Sequence, residues 1–306
     1  MKPISRRRFL QYQTAGMAWT AGAGLFFPKS LFAAKTPDIA VVEGDIEKAV
    51  RQSIAMLGGI SRFVKEGDRV VIKPNMSFPV GPERASNTHP LVVKTVAALC
   101  KEAGAGRVLV PDNPLAPAER CLEASGIYAA CESVEKDMTH MVSNPHSFKE
   151  VDIKGGKTLT ETDVMKSVLE ADVLVAVPVA KSHSGAGVSL SMKGMMGLIR
   201  NRYVMHRIGL HEAIVDLASL LTPQLVVVDA TRVLTTGGPG GPGKVITPGT
   251  VIASADMVAA DAYTVQSFEW YGKRYAPSQV KHIRLAHERG LGRMDIEHLA
   301  VKKTSV

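Results

Sequence analysis

Between Val173 and His211 the chain carries five fixed positive charges and three histidines, and no Asp or Glu. The charges are Lys181, Lys193, Arg200, Arg202 and Arg207; the histidines are His183, His206 and His211. A solvated surface normally mixes both signs. The missing counter-charge is therefore expected from a bound anion or from a carboxylate elsewhere in the fold. His183 is the candidate general acid/base, because an unperturbed imidazole titrates near neutrality. Lys193 lies in a segment otherwise made of Leu, Met, Gly and Ile. Partial desolvation and neighbouring cations would lower its pKa, suiting it to clamp an anion, act as a nucleophile or tether a cofactor. The plainer alternative has Lys193 reaching solvent and His183 capping a turn. Asp229 is the third catalytic candidate, a carboxylate that could orient a Lys or His. Lys73, Asn75, His89, Lys181, Arg200, Arg202 and His206 are the ligand-binding candidates.

The elements that must position these groups alternate between strands and helices. Val173–Val177 is an apolar run of strand length ended by Pro178, and a small-residue loop carrying Lys181, His183, Gly185 and Gly187 is expected after it. RVVIKPN (69–75), RVLVPDNP (107–114), LVVVDA (225–230) and TVIAS (250–254) read as further strands. Helical stripes occur at Ile46, Val50, Ile54 and Leu57 behind Asp45, from Pro90 to Ala103, over 115–126, over 162–169, from Ile214 to Leu221 and from Asp256 onward. This alternation predicts an α/β fold: a mainly parallel sheet with crossover helices on both faces. Ligands of such sheets bind at the carboxyl ends of the strands. Four expected strands finish there on Lys73/Asn75, Asp112/Asn113, Lys181/His183 and Asp229, which predicts one shared pocket. Residues 35–306 read as a single α/β domain.

Apolar residues make up 45% of the chain and aromatics 5%, so the core must be built mostly from Val, Ala, Leu and Ile. The formal charge is +8, but residues 1–34 hold Lys2, Arg6, Arg7, Arg8 and Lys29 and no acid. Removing those five leaves +3 for residues 35–306. The basicity is local, and no aromatic platform accompanies it, which argues against nucleic acid as a partner. SRRRFL (5–10), a moderately apolar stretch to Phe27, and small residues at Ala33 and Ala34 resemble a twin-arginine export signal. The expectation is a periplasmic protein that engages the twin-arginine machinery and meets the membrane only through this segment. Leu31 or Phe32 occupies a cleavage position that prefers a small residue, and an uncleaved segment would remain as an anchor.

Several motifs carry less than their letters suggest. Gly238, Gly243 and Lys244 have P-loop spacing, but Pro239 and Pro242 lack the N–H groups that bind phosphates, and Val245 stands where a hydroxyl should hold magnesium. A glycine-rich lid or tight turn is expected instead. HExxH is absent, and His206 and His211, five apart, do not share a helical face well. Met192, Met195, Met196 and Met205 could be soft copper ligands, but core packing explains them better. Cys100, Cys121 and Cys131 form no CxxC and are expected as buried thiols, one pair being free to bridge in an oxidising compartment. Neither a metal nor a cofactor is specified.

KPN (73–75), THP (88–90), AKSHSGAGVSLSMKGMMG (180–197), the glycine loop 237–243 and IASADMVAADA (252–262) resemble the domain of unknown function 362 family, over about residues 39–270. Ser189 stands where that family suggests Thr, and Gly194 where it suggests Asn. The family implies a site rather than a reaction. Asn87-Thr88-His89-Pro90, with His183 and Lys193, is also distantly similar to the nickel-pincer lactate racemase family. That likeness implies His183 as acid/base, Lys193 as cofactor tether and His206 near metal, although the family's Arg is missing here and the His206 spacing departs from its pattern.

Together these readings give an exported enzyme acting on a small anionic ligand. Two other classes use the same cleft: a periplasmic binding or cofactor-carrier protein without turnover, and an accessory subunit of an exported redox complex.

Overall fold

The computed structural model describes residues 36–306, so the export segment expected over residues 1–34 lies outside the described residues. The chain begins with β1 (Ile39–Glu43), α1 (Ile46–Met56), β2 (Arg69–Pro74), α2 (Pro90–Glu102) and β3 (Arg107–Asp112). Then come α3 (Ala118–Ser125), α4 (Ile127–Glu132), β4 (Thr139–Met141), β5 (Phe148–Asp152), β6 (Glu161–Met165) and α5 (Lys166–Leu169). The central segment forms β7 (Val173–Val177), β8 (Val179–His183), β9 (Gly187–Ser189), α6 (Ser191–Gly194), α7 (Tyr203–Ile208) and α8 (Leu210–Leu220). The chain closes with β10 (Leu225–Leu234), β11 (Val245–Ile246), β12 (Thr250–Ser254), α9 (Met257–Ser267), a hairpin of β13 (Glu269–Trp270) and β14 (Lys273–Arg274), α10 (Lys281–Glu288) and β15 (Val301–Ser305).

The main sheet runs β15-β1-β12-β10-β7-β2-β3-β4. β12 is antiparallel to both neighbours, and every other adjacent pair on that path is parallel. Side chains alternate across each strand. Val70, Ile72, Val173, Val175 and Val177 pack with α1 and α2 on one face, while Val71, Leu174 and Ala176 pack with α8, α9 and α10 on the other. Helices thus cover both faces, as a Val-rich parallel sheet requires.

The structure differs from the sequence expectation in three places that matter for the site. Pro178 ends β7 but not the extended chain, which resumes as β8 and returns as β9, so Lys181 and His183 lie on a strand rather than in a loop. β8 is supported because β10 runs ten residues rather than six, pairing Asp229 with Val179 and Leu234 with Lys181. Residues 161–165 form a strand against 148–152 instead of a helix, since Thr162, Val164 and the exposed Glu161 suit a two-residue period.

Candidate functional site

The carboxyl ends of β2 and β3 lie side by side, and β8, β9 and α6 fold over them. Between these elements is a cavity of about 370 Å³. Of the ten expected site residues, Lys73, Asn75, Lys181, His183, Lys193, Arg202 and His206 line it. Four cations and one carboxylate, Asp112, face the same space.

Lys73 and Asp112 form a buried pair, with Nζ 3.2 Å from Oδ1. Lys73 Nζ also donates to the Pro74 carbonyl. Asp112 Oδ2 accepts from the Met76 N–H at 3.1 Å and the Ser77 hydroxyl at 2.9 Å. Burial pushes Lys73 down, and Asp112 opposes that shift. Gly197 arches over the pair; a Cβ there would collide with Asp112 Oδ1 and Lys73 Cε. The counter-charge missing from residues 173–211 is therefore supplied in part by β3.

Lys181, only 2% exposed, donates to the Ser86 carbonyl at 2.5 Å and lies over the Phe78 ring at 4.9 Å. Burial and the nearby Lys193 push it down to about 7. Arg202 donates to the Asn113 carbonyl. Asn75 accepts the Val179 N–H through Oδ1 at 3.0 Å, leaving its amide N–H₂ as a donor on the cavity wall. Lys193, 9% exposed on α6, has no hydrogen bond or ion pair among the described residues. Burial and Arg202 lower it to about 8.

His183 has a different part from the expected acid/base. Its Nδ1 accepts the backbone N–H groups of Gly185 at 3.0 Å and Ala186 at 3.1 Å. That network assigns the single proton of the neutral ring to Nε2. Protonating Nδ1 would break both bonds, and burial beside Lys193 and Lys181 pushes the pKa down to about 3. His183 is a fixed neutral N–H donor, with the exposed His206 stacked 6.3 Å away at 21°.

Three expected site residues do not reach the cavity. Asp229 lies inside the sheet, because β10 continues past it to Leu234. Its oxygens accept from the His89 N–H at 2.7 Å, the Thr231 N–H at 3.0 Å, the Thr231 hydroxyl at 2.6 Å and Arg232 at 2.7 Å. It is a structural tie, not a catalytic base. His89 caps α2, with Nδ1 accepting from the Leu91 N–H. Arg200 is exposed and pairs with Asp163 at 3.5 Å.

Sequence reasoning missed Asp261. This buried carboxylate accepts from the Ser191 N–H at 2.9 Å, the Ser191 hydroxyl at 2.6 Å and the Met192 N–H at 3.0 Å. It holds the start of the short helix that presents Lys193. The signal was a lone acid in the apolar run MVAADA. The methionines at 192, 195, 196 and 205 are buried in the core. All three cysteines are buried and free. Among the described residues, no three His, Cys, Asp or Glu side chains gather as a metal cluster. The glycine loop lies against β8, where Gly238 N donates to Ser182 Oγ at 3.0 Å and Pro239 reaches the cavity wall; Lys244 points to solvent.

A family model described as domain of unknown function (DUF362) matches residues 70–266, more than half of the chain. The chain belongs to the DUF362 family. The matched span includes every cavity-lining residue from Lys73 to Pro239, and Asp261 as well. Another relative is a thylakoid-associated protein of Synechocystis sp., 28% identical over 237 residues, covering 71% of this chain and 68% of that protein. Among solved structures, the lactate racemase apoprotein from Thermoanaerobacterium thermosaccharolyticum aligns with a TM-score of 0.42 at 15% identity, covering 71% of this chain and 54% of that one. A Thermotoga maritima protein aligns at 0.38 and 13%, covering 80% and 60%. The DUF362 chain spans less than two thirds of either structure, and neither likeness bears on its activity.

Proposed function

We propose that this DUF362 protein binds a small anionic compound in the cavity and acts on it as an enzyme. One observation carries the reading: Lys73, Lys181, Lys193 and Arg202 share the space with a single carboxylate, Asp112, a surplus of three positive charges when all are ionised. Burying cations together is costly without an anion among them. Among the other wall groups, the Asn75 amide and the neutral His183 ring are donors, and His206 adds a second imidazole. In this reading Lys181, Lys193 and Arg202 hold the anion, and the His183 Nε2–H polarises an oxygen on it. The Lys73–Asp112 pair fixes the floor of the site.

Turnover separates the enzyme from a carrier that uses the same cleft. The full chain is incubated with small carboxylates and phosphate esters, and products are followed by mass spectrometry. Conversion that His183→Gln abolishes supports the enzyme. Retention of one compound, unchanged and equally tight in His183→Gln, supports the carrier and overturns it. Export by the twin-arginine route is proposed from SRRRFL. Arg6→Lys with Arg7→Lys should leave the protein in the cytoplasm, and unchanged delivery to the envelope would overturn that proposal. Among the described residues no helix is long and apolar enough to cross a membrane.

A further inference from the structure

Three lysines line the cavity, and their surroundings divide their work. Lys73 is held by Asp112 and the Pro74 carbonyl. Lys181 is held by the Ser86 carbonyl and the Phe78 ring. Lys193 is nine-tenths buried, faces the cavity and is held by nothing among the described residues. A structural ammonium in that position would be expected to have an acceptor, since an unpaired buried charge is destabilising. The protein instead fixes the backbone beneath it: Asp261 ties residues 191 and 192 by three hydrogen bonds. An anchored helix with an unpartnered amine suits a group whose lone pair must reach a ligand atom.

We infer that Lys193 captures its ligand as an imine, and that the ligand is a small carbonyl compound bearing a carboxylate or phosphate group. This rests on the anion-binding reading above and assigns the three requirements of the reaction to separate residues. Arg202 and Lys181 hold the anionic group. The His183 Nε2–H is placed to donate to the carbonyl oxygen, with Nδ1 already committed to two backbone N–H groups. Lys193 supplies the amine. Its Nζ adds to the carbonyl carbon, the carbon–oxygen double bond becomes a carbon–nitrogen double bond, and the two amine protons leave with the oxygen as water. No oxidant, reductant or metal enters the balance. Lys181 titrates lower, at about 7. The Ser86 carbonyl and the Phe78 ring fix its nitrogen beside the anionic group, which favours the charged form once ligand is bound, whereas Lys193 has no protein partner to leave. Burial brings Lys193 to about 8, leaving a useful neutral fraction near neutrality.

The test is reductive trapping on the full chain with borohydride, using pyruvate in one arm and pyridoxal 5′-phosphate in the other. The expected result is one reduced adduct per chain in at least one arm, mapped to Lys193 by peptide sequencing and suppressed by excess inorganic phosphate. The arm that labels distinguishes a carboxylate from a phosphate ligand. Lys193→Arg keeps the charge and should lose the adduct. Should that variant fail to fold, the pH profile on the wild type decides. Trapping that is half-maximal at about pH 8 supports Lys193, and trapping that rises only toward about pH 10.5, the range of an ordinary lysine, overturns the proposal. Adducts spread over exposed lysines also overturn it. No adduct in either arm, with phosphate binding intact, refutes the imine and leaves the anion site standing; loss of both refutes both.

Discussion

Replacing Lys73 by Met should expose how the cavity floor is held. The perturbation leaves Asp112 fully buried, its Oδ2 still accepting from Met76 and Ser77 and its Oδ1 facing apolar atoms. At 3.2 Å, two unit charges in a medium of effective dielectric about 20 attract by about 5 kcal/mol. Desolvation of both groups offsets part of this, and breaking one side of such a pair costs about 3–5 kcal/mol. Asp112→Asn should cost a similar amount, because Asn can keep the Met76 and Ser77 bonds but leaves Lys73 unpaired. The double variant removes both charges and should recover to within about 1–2 kcal/mol of wild type, since a buried pair is worth little against its neutral replacement. The assay is urea unfolding of the full chain followed by far-UV circular dichroism. A second readout runs in the opposite direction. Asp112→Asn raises the cavity's positive surplus from three to four, so phosphate should stabilise it more than it stabilises wild type, up to about 2.7 kcal/mol at a hundred times the dissociation constant. Additive losses in the double variant, or a loss below about 1 kcal/mol in either single one, would refute the reasoning.

Ligand-free stability should rise with pH from about 7 to 9, above which the buried Cys100 and Cys131 thiols, pushed up to about 12 and about 11, oppose the rise. Lys181 and Lys193 are lowered to about 7 and about 8 in the folded protein, so over that window the unfolded chain binds more protons, and the charging penalty is complete only below it. Urea midpoints measured across the range check this; a midpoint that falls would contradict it, and saturating phosphate should flatten the rise. Asp261→Asn places an amide N–H₂ against a backbone N–H and should cost about 1–3 kcal/mol. It should also slow reductive trapping at Lys193 in the fraction that remains folded, as measured by adduct yield after native purification. Gly197→Ala pushes a methyl group into the Lys73–Asp112 pair and should cost about 1–3 kcal/mol, read as a lowered thermal midpoint.

Much of the fold was legible because its determinants are local. The apolar runs at 70–72, 108–110 and 173–177 are too hydrophobic to face water on either side, and the helices between them carry clear stripes. The cluster of Lys181, His183 and Lys193 was legible from charge alone: a segment without acids had to find its counter-charge elsewhere. The roles within the cluster were not. His183 reads as an acid/base by residue type, and only the turn at Gly185 and Ala186 shows that its Nδ1 is committed as an acceptor. Asp229 reads as a strand tip because the apolar run stops at Ala230, whereas pairing with β8, some fifty residues earlier, and with β11 beyond the glycine loop extends β10 to Leu234. Asp261 was hidden because an acid in a helix reads as a surface residue until its partners, 70 residues away, are placed beside it.

The central claim is that the cavity is an anion site in which Lys193 takes part. Calorimetric titration of the full chain with inorganic phosphate, at about pH 6 where Lys181 and Lys193, lowered to about 7 and about 8, are both charged, tests it directly. The account predicts one phosphate per chain and a dissociation constant weakened about 10- to 100-fold in Lys193→Met, the loss of one charge-assisted hydrogen bond worth about 1.5–3 kcal/mol. No saturable binding by the wild type, or equal binding by wild type and Lys193→Met, would contradict it.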